Sequence, residues 1–217
     1  MIKKVFLLSL LAVSLLFAVS KKNVLALSWE NSFCLIHPYD KACRMRRAGD
    51  FSLNNFVLHG LWPLRKEYCR SRYKFELSPV VWEVLQKYMP AAKFGLAKHE
   101  WRKHGTCFGT DANTYFITAV KLTQQFDESG VATFIRMRMG SYVSLARLRY
   151  VFASVFGNGS QRKFQLICKR KNGKEYITEI RINLYGNPLK HDLGYLIKHA
   201  KDMIGVRQCQ GGIVAFP

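Results

Sequence analysis

Six cysteines behind an apolar leader limit what this chain can fold into more than any other feature. The leader opens with Lys3 and Lys4 and runs as an apolar stretch from Val5 to Val19, broken by Ser9 and Ser14. Ala18-Val19-Ser20 then offers small residues where a secretory signal is cut. The stretch falls short of the roughly 20 apolar residues that cross a bilayer, so it reads as a signal peptide over residues 1–20, not a stable membrane anchor. Removing 20 of the 217 residues leaves 197, enough for one domain (21–217) with a sizeable core. An even number of cysteines in an exported chain implies disulfides among Cys34, Cys43, Cys69, Cys107, Cys168 and Cys209, although spacing leaves their pairing open. No C-x-x-C spacing occurs, which argues against zinc ribbons and thioredoxin-like redox sites.

No internal repeat or Pro/Gly/Ser-rich linker interrupts residues 21–217. Leu25, Leu27 and Trp29 alternate with Val24, Ala26 and Ser28, so both faces are mostly apolar and a buried strand is expected. Ser78-Pro79 is a good helix start, with Val81, Val84, Leu85 and Tyr88 as its stripe and Pro90 as its stop. Thr114 to Phe126 and Leu145 to Phe156 also read as helices. Late in the chain Phe164, Leu166 and Cys168 alternate before Asn172-Gly173, a favoured two-residue hairpin turn. Ile177, Ile180, Ile182 and Leu184 form the return strand, with a phase shift near Thr178. Helices mixed with antiparallel strands predict an α+β fold, an antiparallel sheet core with helices around it.

The formal charge is +20, and +18 without Lys3 and Lys4. Basic residues cluster at Arg44/Arg46/Arg47, Arg65/Lys66/Arg70/Arg72/Lys74, Arg136/Arg138 and Lys169/Arg170/Lys171/Lys174. Such a field speeds encounters with polyanions. It does not name one, since an anionic membrane, a cell wall or simple solvation accounts for charge equally well.

Chemistry concentrates in His99-Glu100-Trp101-Arg102-Lys103-His104-Gly105-Thr106-Cys107. On a helix, His99, Glu100, Lys103 and His104 fall at about 0°, 100°, 40° and 140°, so all four share one face while Trp101 and Arg102 point elsewhere. Gly105 is expected as the left-handed glycine that ends the helix. A zinc-protease motif needs its histidines at i and i+4, but here Lys103 occupies i+4 and would repel the metal. The cluster can instead donate a proton, accept one and hold an anion.

A second segment, Phe56-Val57-Leu58-His59-Gly60-Leu61-Trp62-Pro63, is an apolar run carrying one histidine. The two blocks together, in this order and separated by residues 64–98, resemble the signatures of the ribonuclease T2 family. The likeness extends from Val24-Leu25-Ala26-Leu27-Ser28-Trp29 and Phe33-Cys34 to Cys209 and the C-terminal Gly211–Pro217. It implies the family's α+β fold and an endoribonuclease acting on single-stranded RNA. It also implies Cys69–Cys107 and Cys168–Cys209 as disulfides, with Cys34–Cys43 as the pair that remains.

RNA carries its own nucleophile, the ribose 2′-OH. Cleavage therefore needs a base for that proton, an acid for the departing 5′-oxygen and positive charge around the phosphorane. By resemblance His104 is the base and His59 the acid, although the residue types alone permit the reverse. Glu100 and Lys103 stabilise the transition state, His99 binds phosphate, and no metal or other cofactor is required. Products are 2′,3′-cyclic phosphates that are slowly hydrolysed to 3′-phosphates. DNA lacks the nucleophile and binds unproductively at most.

Trp62 is a candidate stacking surface for a base, and Trp101 is assigned to the core. Leu64 stands where family members often carry a polar residue, which favours broad base specificity. His37, His191 and His199 match no family position and are read as structural or surface residues. Asn158-Gly159-Ser160 is a glycosylation pattern only along a eukaryotic secretory route, whereas the short, leucine-rich leader and compact chain look bacterial and favour a periplasmic or secreted destination; a monomer is expected. A cationic protein that binds RNA or membranes without catalysis is the rival reading. It needs none of the five catalytic positions that this chain retains.

Overall fold

In the computed structural model, which describes residues 19–217, strand β1 (Lys22–Ser28) lies between β2 (Val57–Pro63) and β5 (Lys174–Tyr185), antiparallel to both. The signal peptide expected at residues 1–20 lies outside the described residues up to residue 18. The central place of β1 follows from its composition: Val24 to Leu27 are buried on both faces of the strand. The six-stranded sheet has the order β2-β1-β5-β6-β3, from β3 (Tyr142–Ser144) and β6 (Gly211–Ile213), while β4 (Phe164–Lys171) pairs with β5 as a hairpin. Asn172 and Gly173 both have positive φ at the hairpin turn, as an Asn-Gly pair allows.

One edge departs from the expected antiparallel sheet. β6 meets β5 in parallel, Tyr176 opposite Ile213. Cys209 is bonded to Cys168 of β4, and this tie delivers the chain to the stretch of β5 beyond its pairing with β1.

Register separates two faces of the sheet. Leu25 pairs with Leu61 and Ile182, and Leu27 with Leu58 and Ile180, so these six side chains share the core face. Helix α5 (Ala112–Asp127) covers it with the buried Tyr115, Phe116, Ala119 and Phe126. The Tyr115 hydroxyl donates to the Leu61 carbonyl at 2.8 Å. On the opposite face Ala26 pairs with Gly60 and Arg181, Val24 with Trp62, and Ser28 with Glu179.

Two bulges populate that second face. Between Ala26 and Leu27 the partner strand carries one extra residue, His59, so that His59, Gly60 and Trp62 avoid a strict in-and-out alternation. Between Ile167 and Cys168 the extra residue of β5 is Thr178, where the sequence pattern also shifts phase. Ile177 thereby joins Ile180 and Ile182 in the core while Glu179 and Arg181 project the other way.

Helix α3 (Pro79–Tyr88) starts at Ser78, whose hydroxyl accepts from the Val81 N–H. Asp111 caps α5 through Thr114 N–H, and Ser144 caps α7 (Leu145–Phe156) through Arg147 N–H. These three follow the sequence pattern to within two residues. The shorter α1 (Glu30–Ile36), α2 (Lys41–Arg44), α6 (Gly130–Arg136) and α8 (Leu193–His199) carry one or two turns, too few for a stripe to show. Helix α4 (Leu96–Lys103) bears the second motif. Disulfides join Cys34–Cys43, Cys69–Cys107 and Cys168–Cys209. No helix of the described residues is long and apolar enough to cross a membrane.

Candidate active site

Helix α4 presents its motif differently from a simple shared face. Ala97, Glu100, Trp101 and His104 are buried, an i, i+3, i+4, i+7 stripe, while His99 is exposed and Lys103 half-buried. The arc of about 140° was too broad to face one environment. Trp101 enters the core against Tyr115, with ring centroids 5.8 Å apart, as assigned. Glu100 and His104 sit at the border between that core and the second sheet face.

Gly105 has no positive φ and opens a short 3-10 turn, Gly105–Cys107, so the left-handed end expected there is corrected. It must be glycine for space, because a Cβ would lie 2.3 Å from the Trp101 ring. The end of α4 is instead secured from outside. Tyr68 N–H donates to the Lys103 carbonyl at 2.8 Å, and Cys107 is bonded to Cys69 in the same loop. A carbonyl left orphaned by the helix end is thereby satisfied.

Gly60 explains the meeting of the two motifs. A Cβ there would lie 2.1 Å from Glu100 Oε2 and 2.3 Å from Trp62 Nε1. The absent side chain leaves the path along which Trp62 Nε1 donates to Glu100 Oε2 at 2.7 Å. The Trp62 ring stacks on His104 at a centroid distance of 5.3 Å, meets His59 edge-on at 5.2 Å and carries the Arg181 guanidinium 5.0 Å from its centroid. The ring proposed as a base platform is thus also the strut that spaces the two imidazoles.

His59 stands between two carboxylates. Its Nδ1 bonds Glu179 Oε2 at 2.5 Å, and its Nε2 lies 4.0 Å from Glu100 Oε1. Lys103 Nζ is 3.5 Å from Glu67 Oε1. Glu179 and Arg181, which belong to neither motif, escaped the sequence reading. Their only trace was a Glu-x-Arg set on the polar phase of an isoleucine strand, just past the phase shift. His59, His99, Glu179 and Arg181 line a cavity of about 520 Å³ that His37 also borders. His37 is exposed against Phe33 and His199 is exposed on α8, while the half-buried His191 just before α8 stacks on Tyr195, so the three fit the surface or structural roles expected of them.

Electrostatics drive the two imidazoles apart. Burial would lower His59, but the hydrogen bond and charge of Glu179, joined by Glu100, outweigh it and raise its pKa. His104 goes the other way, lowered to about 4, by burial first and then by the charge of Lys103. Its buried Nδ1 has no hydrogen-bond partner among the described residues. Burial raises the Glu100 carboxyl, against the pull of His59 and Trp62. For Glu179 burial also acts upward, yet the bond and charge of His59, then Arg181, leave it below the usual carboxylate value. One imidazole is therefore set up to hold a proton and its neighbour to lack one. No group of three His, Cys, Asp or Glu among the described residues is arranged to hold a metal ion.

Known proteins resemble this chain in sequence and in fold. The chain is 27% identical over 210 residues to Ribonuclease I of Escherichia coli, covering 79% of this chain and 78% of that one. Its fold matches human RNase T2 with a TM-score of 0.63 at 21% identity, over 91% of this chain and 98% of that structure. The self-incompatibility-associated SF11-RNase of Nicotiana alata matches with a TM-score of 0.64 at 22% identity, over 89% and 98%. The family model for the Ribonuclease T2 family spans residues 20–200, both motifs and the strand that carries Glu179 included, and the chain belongs to that family.

Proposed function

We propose that this protein is an exported, monomeric endoribonuclease that cleaves single-stranded RNA by transphosphorylation, without a metal ion and with broad base specificity. The observation that carries the reading is the opposite displacement of the two imidazoles, His104 down to about 4 and His59 upward. Near pH 6 His104 is neutral and His59 protonated, the states a base and an acid must hold at the start of one displacement. His104 takes the 2′-OH proton, the 2′-oxygen attacks phosphorus, and the bond to the 5′-oxygen breaks as His59 supplies a proton. Glu100 and Lys103 stabilise the charge that gathers on the phosphorane, and His99, exposed at the cavity, binds a phosphate. The 2′,3′-cyclic phosphate left behind is slowly hydrolysed to a 3′-phosphate.

Export to the periplasm or medium is supported by three disulfides, which persist in oxidising compartments. The test is incubation of total RNA, four homopolymers and single-stranded DNA in excess EDTA. All RNAs should be cut and DNA left intact. Activity that vanishes in EDTA and returns with zinc or magnesium, or fragments of DNA, would contradict the reading.

A further inference from the structure

Glu179 and Arg181 lie outside both motifs, yet Glu179 makes the hydrogen bond to His59 Nδ1 and Arg181 lies over the Trp62 ring. Glu179 comes from β5, two strands from His59 with β1 between them, and the bulges at His59 and Thr178 bring both side chains onto the same face. Ala26 and Ser28 are the β1 residues opposite Arg181 and Glu179, small enough to let the two side chains meet above the strand. Each carboxylate oxygen then has one partner. Oε2 accepts from His59 Nδ1, Oε1 from Arg181 Nε, and the Arg181 guanidinium lies over Trp62.

We propose that Glu179 is a positioning residue for the general acid: it holds His59 with Nδ1–H turned to β5 and Nε2–H turned to the leaving oxygen, and Arg181 ties this carboxylate to Trp62. The inference rests on the acid role given to His59 above. An ionised carboxylate only accepts, so Nδ1 must carry a hydrogen, and the transferable proton resides on Nε2. As the bond from phosphorus to the 5′-oxygen breaks, its electron pair stays on that oxygen and takes the Nε2 proton. Nδ1–H remains bonded to Glu179 and the ring becomes neutral.

The groups around His59 come from two directions. Glu179 and Arg181 face it from β5, and Glu100 and His104 from the end of α4. Arg181 brings positive charge that works against a protonated ring. Glu100 has its Oε2 engaged by Trp62 and stands at 4.0 Å from Nε2, where it cannot orient Nδ1. That leaves Glu179 to fix the ring.

The test reads His59 directly, by NMR titration of its imidazole in wild type, E179Q and E179D. E179Q should lower the His59 midpoint by about one pH unit or more, the size expected on losing an opposite charge in contact, and E179D should restore most of it. The alkaline limb of kcat should move with it, at nearly constant KM. On a dinucleoside phosphate E179Q should lose about tenfold, a part of the roughly 10²-fold or more that the acid itself supplies. A nucleoside 3′-(4-nitrophenyl phosphate) departs without an acid, so there the same variant should keep nearly all its rate. An unchanged His59 midpoint in folded E179Q overturns the proposal whatever the activity, as does an equal loss on both substrates. If His59→Ala lost equally on both substrates, the acid role of His59 would fall instead, while the midpoint would still report whether Glu179 holds the ring.

Discussion

At the scale of residues, the site depends on two atoms' worth of absent side chain as much as on its titrating groups. Gly60 lets Trp62 reach Glu100, and Gly105 lets Trp101 close on the end of α4. Gly60→Ala should push Glu100 or Trp62 aside, since over-packing a tight site costs about 1–3 kcal/mol and a displacement of about 1 Å can cost 10²-fold in rate. The expected result is a folded variant whose kcat is at least about tenfold lower, checked on a dinucleotide alongside its thermal unfolding. An alanine variant with unchanged kcat would show that the spacing does not matter. At this scale the sequence was legible where chemistry repeats a motif: His99, Glu100, Lys103 and His104 crowd one short segment as packing alone would not ask, while His59, alone on an apolar strand, was raised only by its block's pairing with that segment and the family resemblance. Glu179 was not legible, because its partner His59 lies 120 positions away and is reached through the register of a third strand, and Arg181 joins the site only through Glu179 and Trp62.

At the scale of elements, capped and striped helices could be read closely, and short or irregular ones could not. The N-caps Ser78, Asp111 and Ser144 are local side-chain bonds, so the sequence around each contains the whole cause. The parallel contact of β6 arises from a disulfide and from the order of the strands, which no local pattern encodes. The phase shift near Thr178 was visible as a broken alternation. Its consequence, an acid aimed at His59, became visible only with β1 and β2 in place. The Cys69–Cys107 bridge, 38 residues apart, secures the loop that satisfies the Lys103 carbonyl. Replacing both cysteines with serine should cost at most about 4 kcal/mol in the loop-entropy account of such a bridge. Urea unfolding measures that loss. The rate of the still-folded fraction should fall as well, because His104 follows directly on the helix end that the loop holds. Full activity in a destabilised but folded variant would confine the bridge to stability.

At the scale of the whole molecule, the chain without Lys3 and Lys4 carries a net charge of +18, and its site holds individual charges within a few ångströms of each other. The broad field brings a polyanion to the surface without regard to its sugar. In the proposed mechanism the selection falls to the site itself, where burial and Lys103 lower the His104 pKa to about 4 and the carboxylates of Glu179 and Glu100 raise that of His59. The measurement that tests this most directly is the cleavage rate of a dinucleotide across pH at constant ionic strength. The rate should rise through about pH 4 as His104 loses its proton, and fall only above 6.5 as His59 loses its own. The two limbs belong to the coupled pair, so His104→Ala should abolish the acid limb along with most of the rate. A rising limb at pH 6.5 or higher, with little cleavage below it, would contradict the assignment of a neutral His104 beside a charged His59.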